Sequence, residues 1–272
     1  TVRILFIGDI VGEIGRKIVH ERLPEIRSKY KLDFVIANGE NSAAGFGITE
    51  RIANSLIDSG VDVITTGNHI WDQREAMVFI NRQERLIRPA NFPAGTPGKG
   101  AGVFETESGK KILVANLMGR VFMNAMDDPF AVIDKLLLDV RLIETVDAII
   151  VDMHAEATSE KQAMGHYLDG RITLMVGTHT HVPTSDFRVL TKGTGYMSDI
   201  GMTGDYDSIL GFEKSGPLHR FLTHTPSGKL IPARKSATLS GVMIETDDSS
   251  GLVSKIDSFI LGGVLKENTP NF

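Results

Sequence analysis

The chain has 272 residues, 42% of them hydrophobic and 23% charged, with a formal net charge of −5. This is the composition of an ordinary folded chain able to bury a sizeable core, and its acidic balance argues against a general nucleic-acid coat protein, which is normally basic. Cysteine is absent, which excludes a disulfide framework, a thiolate nucleophile and a zinc–thiolate site.

A strand-then-helix alternation dominates the first two-thirds. Val2–Ile7 reads as a strand, and Gly12 to about Tyr30 as a helix with Ile14, Ile18, Val19, Leu23 and Ile26 near helical spacing. Asp33–Ala37 is the second strand, Thr49-Glu50 opens a helix that runs to Ser59 with Gly60 as its stop, and Asp62–Ile64 is the third strand. The pattern then predicts a helix over Asp72–Asn81 and a turn-rich segment over Pro89–Gly102. A hairpin joins Gly102–Thr106 to Lys111–Leu117 through Ser108-Gly109. Helix is expected again over Pro129–Glu144 and Ser159–Leu168, and strand over Asp147–Val151 and Ile172–Val176. Beyond Val182 the short strands Phe187–Leu190, Lys235–Glu245 and Leu252–Ile260 suggest antiparallel pairing, with a glycine-rich loop over Gly201–Gly216. No repeat and no linker divides the chain, so a single domain over residues 1–272 with two sheets is expected. No apolar run approaches the roughly 18–20 residues that span a bilayer. The N-terminus lacks a secretory pattern and moves straight into a core strand, so a leaderless, cytoplasmic protein is the expectation.

Five predicted strands end in residues that bind cations or move protons. They are Gly8-Asp9, Asn38-Gly39-Glu40-Asn41, Gly67-Asn68-His69, Asp152-Met153-His154 and Gly177-Thr178-His179-Thr180-His181. Ligands of open α/β sheets gather outside the carboxyl ends of strands. Taken alone, Asp9 could cap the following helix, Asn41 could be a turn residue, and His154 could be a hydrogen-bonded surface histidine. The His-Thr-His pair is more telling, because alternate residues of an extended segment point the same way. Asn68 and His69 are adjacent and must diverge, so one can bind a metal while the other handles a proton.

With His69 held back, two carboxylates, two amides and three histidines form a nitrogen–oxygen donor set suited to Mn, Fe, Zn or Co. Seven donors are too many for one tetrahedral ion and suit two ions bridged by a carboxylate. Two divalent ions, Asp9, Glu40 and a bridging hydroxide would leave one net positive charge, which matches a phosphodiester monoanion. In-line attack by the metal-bridging hydroxide would then leave His69 either to protonate the departing alkoxide or only to hydrogen-bond a phosphate oxygen.

These motifs resemble those of the calcineurin-like metallophosphoesterases, with two departures: Val11 stands where the first histidine ligand would be, and Glu40 replaces the bridging aspartate. The departures resemble the YmdB-like bacterial cyclic-nucleotide phosphodiesterases, whose signatures appear as Gly8-Asp9-Ile10-Val11-Gly12, Asn38-Gly39-Glu40-Asn41-Ser42, Thr66–Trp71, His154–Lys161 and Gly177–Pro183. The resemblance implies an α/β four-layer sandwich of two packed mixed β-sheets flanked by helices. It further implies a first metal held by Asp9, Glu40, Asn41 and His181, a second held by Glu40, Asn68, His154 and His179, and His69 as proton donor. Iron is the first expectation for the metals, manganese the next and zinc the third. The implied substrate is a 2′,3′-cyclic nucleotide, with 3′,5′-cyclic nucleotides as a further class. Another phosphoester substrate and a non-catalytic metal-binding scaffold of the same fold are the alternatives. No stable nucleic-acid partner is expected, and a homo-oligomer is compatible with the sequence. A Rossmann dinucleotide site is disfavoured, since Ile10 stands where its fingerprint requires glycine. Trp71 is either a base-stacking surface or packing beside the site, and Glu156 is a candidate partner for a ligating histidine.

Overall fold

Several strands are apolar at nearly every position, which requires cover on both faces. In a computed structural model describing residues 1–272, that cover is supplied by two sheets packed on each other with helices outside them. The chain runs β1 (Arg3–Ile7), β2 (Asp9–Ile10), α1 (Gly12–Tyr30), β3 (Phe34–Asn38), α2 (Glu50–Asp58), β4 (Val63–Thr65), α3 (Ala76–Phe79), β5 (Ala101–Glu105) and β6 (Lys111–Met118). It continues through α4 (Pro129–Leu136), β7 (Ala148–His154), α5 (Thr158–Leu168), β8 (Leu174–Thr178), β9 (Arg188–Val189), β10 (Gly195–Met197), β11 (Met202–Asp205), α6 (Ser215–Thr223), β12 (Ala237–Thr246) and β13 (Val253–Leu261).

The first sheet has the order β2-β11-β12-β1-β3-β4, with β13 also paired to β12. Within it, β1, β3 and β4 are parallel, and β12 runs antiparallel to β1. The second sheet, β5-β6-β7-β8-β10-β9, is parallel through β6, β7, β8 and β10 and antiparallel at both edges. Side-chain alternation builds three apolar seams. Ile4 and Phe6 join Ile36, Ile150 and Val176 between the sheets. Leu5 and Ile7 meet Val19, Leu23 and Leu56 of α1 and α2, while Ile149 and Val151 meet Ile133, Met164 and Leu168 of α4 and α5. The result is the expected four-layer α/β sandwich of two mixed sheets flanked by helices. No helix is long and apolar enough to cross a membrane.

Three expectations change. The helix over Asp72–Asn81 shrinks to Ala76–Phe79, because the preceding turn closes with i to i−3 bonds from Ala76, Met77 and Val78. The helix from Pro129 stops at Leu136, where the Arg141 guanidinium takes the carbonyls of Leu137, Leu138 and Val140. The Gly201–Gly216 stretch is not one loop: β11 occupies its start, pairing with β2 and β12, and α6 begins at Ser215.

Ile150 is fully buried between the sheets, so Ile150→Ala should cost about 2–5 kcal/mol of stability. Urea denaturation measures this, and a loss below about 1 kcal/mol would contradict a tightly packed central seam.

Candidate metal centre

All five polar strand ends meet. The hub is His154, the last residue of β7, whose Nε2 lies 2.9 Å from Asn68 Oδ1, 2.9 Å from Glu40 Oε1 and 3.2 Å from His179 Nδ1. Donors about 2.1 Å from a common ion and at right angles would stand about 3.0 Å apart, so this spacing suits the edges of a coordination polyhedron. Glu40, His154 and His179 are accordingly a group able to hold a metal ion. The ring of His154 is aimed from behind: its Nδ1–H faces Thr178 Oγ1 at 2.8 Å, and that hydroxyl donates to Asp152 Oδ1 at 2.6 Å. Such a chain fixes the tautomer that leaves Nε2 facing inward. Gly67 makes room for the ring, since a Cβ there would sit 2.2 Å from His154 Nε2.

A second group adjoins the first through Glu40. Asn41 Nδ2 lies 3.4 Å from Glu40 Oε1 and 3.2 Å from His181 Nε2, which in turn is 3.5 Å from Asp9 Oδ2. His181 Nδ1 faces the Leu210 carbonyl at 3.0 Å, again leaving Nε2 inward. Two oxygens here, Asp9 Oδ1 and Asn41 Oδ1, are buried without any hydrogen-bond partner. Orphaned buried acceptors are costly, and a cation is the partner such a cluster accommodates. The donor set therefore fits metal ions. Asp9 does not cap α1, whose N-cap is Val11; it belongs to β2, and its Oδ2 accepts the His179 N–H at 2.9 Å.

The electrostatics divide the two buried carboxylates: Glu40 has a counter-charge and Asp9 lacks a sufficient one. Burial, together with the charges of Glu40 and Asp199, pushes Asp9 well above the usual carboxylate range despite the opposing pull of His154. Burial also acts to raise Glu40, but the His154 imidazolium outweighs it and holds Glu40 at about 2. Burial lowers His154, yet Glu40, Asp9 and Asp152 more than compensate and lift it to about 9. Burial and the His154 charge bring His179 down to about 3, and burial lowers His181.

The two histidines after β8 converge by a route other than the one expected. β8 ends at Thr178, and His179 and His181 have φ of 100° and 67°. Left-handed turns, not strand pleating, aim them, and they serve different groups: His179 meets His154 while His181 meets Asn41 and Asp9. Each such conformation costs on the order of 1–3 kcal/mol for a non-glycine residue.

His69 diverges from Asn68 as expected. Its Nδ1 pairs with Asp72 Oδ2 at 2.8 Å, its ring meets the edge of Phe46 at 5.3 Å, and its backbone N–H donates to Glu40 Oε2 at 2.9 Å. It lines a cavity of about 620 Å³ that also takes in Glu40, Asn41, Glu156, His179 and His181. The opposite wall is apolar and includes Phe46, Phe212, Pro217 and Phe221. Phe46 and Phe212 stack at 5.2 Å. Trp71 is absent from the lining and packs edge-on against Phe92, which leaves packing as its role. Glu156 meets the outer nitrogen of His179 at 3.0 Å, the partnership anticipated for it.

Asp72, Phe46 and Phe212 are contributions that sequence reading did not single out, and Asp152 was read only as part of the His154 strand end. Asp72 was discoverable as the acid three residues past His69, and Asp152 as a lone carboxylate in the apolar run Ala148–Met153. Nothing local marks Phe212, which reaches the site only through tertiary folding.

Comparison with known proteins gives the chain its family and its fold relatives. The family described as YmdB-like protein matches residues 5–259. The 2′,3′-cyclic-nucleotide 2′-phosphodiesterase of Bacillus subtilis (strain 168) is 49% identical over 260 residues, covering 96% of this chain and 97% of that protein. A crystal structure of a hypothetical protein from Thermus thermophilus superposes with TM-score 0.89 at 43% identity, covering 97% of this chain and 100% of the other. That of a novel phosphatase from Mycoplasma pneumoniae gives TM-score 0.89 at 34% identity, over 96% and 93% of the two chains. Fold and centre together define a metallophosphoesterase, a hydrolytic enzyme of a class that uses divalent metals. Within that class, the chain belongs to the YmdB-like family.

Two outcomes are expected. Gly67→Ala should displace the His154 ring and reduce bound metal, as read by elemental analysis of the folded variant; unchanged metal content would contradict the close packing at Gly67. Because His154 holds a proton up to about pH 9 in the metal-free protein, a cation must displace it, and apparent affinity should rise with pH until about 9. Calorimetric titration at about pH 7.5 in buffers of different ionisation enthalpy should show about one proton released by His154 on metal binding, and none would contradict this assignment.

Proposed function

We propose that this enzyme is a two-cation phosphodiesterase that hydrolyses 2′,3′-cyclic nucleotides, opening the 2′ ester to leave the nucleoside 3′-phosphate. The observation carrying this reading is that two donor groups share Glu40, one of them containing the partnerless buried oxygens of Asp9 and Asn41, at the polar end of the His69 cavity. The activity named for the Bacillus relative, 49% identical along nearly the whole chain, supports the choice of substrate. 3′,5′-Cyclic nucleotides carry the same monoanionic diester and are the second class to assay.

In this reading Asp9, Glu40, Asn41 and His181 hold one cation, and Glu40, Asn68, His154 and His179 hold the other. Iron is the first choice for both, manganese the next and zinc the third, since all three accept nitrogen and oxygen donors. Bound cations would supply an activated water and would offset the charge of the phosphoryl group. The Asn41 amide turns its nitrogen toward Glu40 and His181. A half-turn of that amide would present Oδ1 to the same acceptors, an arrangement that a cation stabilises.

The chain's own groups do the rest. Asp72 accepts the Nδ1–H of His69, which leaves Nε2 as the nitrogen available to the substrate. From there His69 protonates the departing ribose oxygen. The stacked Phe46–Phe212 pair and Phe221 give the cavity an apolar wall of the kind on which a base packs, and aromatic contact is tolerant of base identity. Residues 1–272 act as one domain, and a cytoplasmic enzyme working on dissolved nucleotides is the setting this reading implies.

The test combines a product assay with one variant. Wild-type protein loaded with Mn²⁺ should convert 2′,3′-cyclic nucleotides to 3′-monophosphates; stoichiometric metal without turnover on any phosphodiester would favour a scaffold. His69→Ala should keep its metal while kcat falls by about 10²–10⁴-fold. An unchanged kcat on a substrate with a poor leaving group, with only KM raised, would reduce His69 to a phosphate contact.

A further inference from the structure

The His179-Thr180-His181 turn feeds both donor groups from two left-handed residues, so something outside the donor set must hold it in place. One buried carboxylate does so. Asp199 Oδ2 accepts from the Thr180 backbone N–H at 3.1 Å and from Thr180 Oγ1 at 2.6 Å, gripping the residue between the two histidines. Its Oδ1 accepts the Gly201 N–H at 2.7 Å, one residue before β11. The Asp199 backbone is tied in turn to Thr184, whose N–H donates to the Asp199 carbonyl at 3.0 Å. The counter-charge is Lys161 of α5, whose Nζ lies 3.0 Å from Asp199 Oδ2; the two side chains are 0% and 1% exposed. The stem of Lys161 passes beneath β8, where a Cβ on Gly177 would stand 2.8 Å from Lys161 Cδ. Neither residue belongs to either donor group. A buried ion pair is weak evidence for stability as such, and loss of one partner leaves the other charge buried and uncompensated.

We propose that Lys161 and Asp199 are positioning residues that set the His179-Thr180-His181 turn, so that one buried ion pair governs metal affinity at both donor groups at once. This rests on the two-cation reading above. Because Asp199 grips Thr180, the two histidines move together when the grip is lost. Removing an individual donor such as Asn68 instead strikes one group alone.

The experiment compares wild type with Lys161→Met, Lys161→Arg and Thr180→Val by Mn²⁺ titration, and by ¹⁵N imidazole spectra of the metal-free proteins. Removal of an outer support of this kind should weaken both Mn²⁺ sites by about 10–100-fold in Lys161→Met. The His179 and His181 resonances should broaden or double in the same variant, and Lys161→Arg should restore most of both properties. Thr180→Val deletes only the hydroxyl bond to Asp199 and should weaken both sites by a smaller factor. It carries the test if Lys161→Met does not fold. Wild-type affinity at both sites in a folded Lys161→Met or Thr180→Val protein, with only its melting temperature lowered, would overturn the proposal. Weakening confined to one site would overturn it too. If wild type binds a single ion, the two-cation reading fails, and the metal-free spectra still decide whether the pair fixes the turn.

Discussion

The arrangement depends on the burial of two carboxylates, Asp9 and Glu40, at strand ends where water cannot neutralise them. A buried carboxylate needs a counter-charge and a full set of donors. Glu40 obtains part of this from His154 and from the His69 backbone, but Asp9 is left with one oxygen unpartnered and a carboxyl pushed far above its ordinary range. Around them stand the protonated His154 and the imidazoles of His179 and His181, both held neutral by burial, so that Asp9 finds too little positive charge within reach. The metal-free centre is thus electrostatically unfinished, and in the two-cation reading proposed above bound cations would complete it.

The sandwich makes the cost bearable through rigidity. Parallel strands from both sheets bring their ends to one place, and the three apolar seams behind them fix the strands against sliding. Each donor is then aimed by a group behind it: Asp152 through Thr178 for His154, Glu156 for His179, the Leu210 carbonyl for His181. Asp72 does the same for His69, the one group of the set that faces the cavity without belonging to a donor cluster. Adjacency makes Asn68 and His69 diverge: Asn68 Oδ1 faces His154 in the donor cluster, while His69 lines the cavity beside Asp72.

Much of this was legible in the sequence because the donors directly follow apolar runs, and strand ends are where such folds put chemistry. The strands β1 and β3 to β8 could be read on the same grounds, whereas β2 was visible only as the strand-end pair Gly8-Asp9. Misreadings came where side chains, not backbone propensity, decide: Arg141 ends the helix after Leu136, and i to i−3 bonds shorten the one before Phe79. β11 was hidden by its glycine-rich surroundings, and α6 by Gly216 and Pro217 in its first turn. The convergence of His179 and His181 was anticipated from strand alternation, yet left-handed turns produce it; the positive φ values leave no mark in the residue types. Phe212 and Asp199 act across long sequence separations, so no local pattern could announce them.

The most direct test is a crystal structure of the metal-loaded enzyme with an anomalous difference map. Two peaks per chain are expected, with Glu40 contacting both, His154, His179 and Asn68 around one, and Asp9, Asn41 and His181 around the other. A single peak, or two peaks that Glu40 does not share, would contradict a carboxylate-bridged pair of cations.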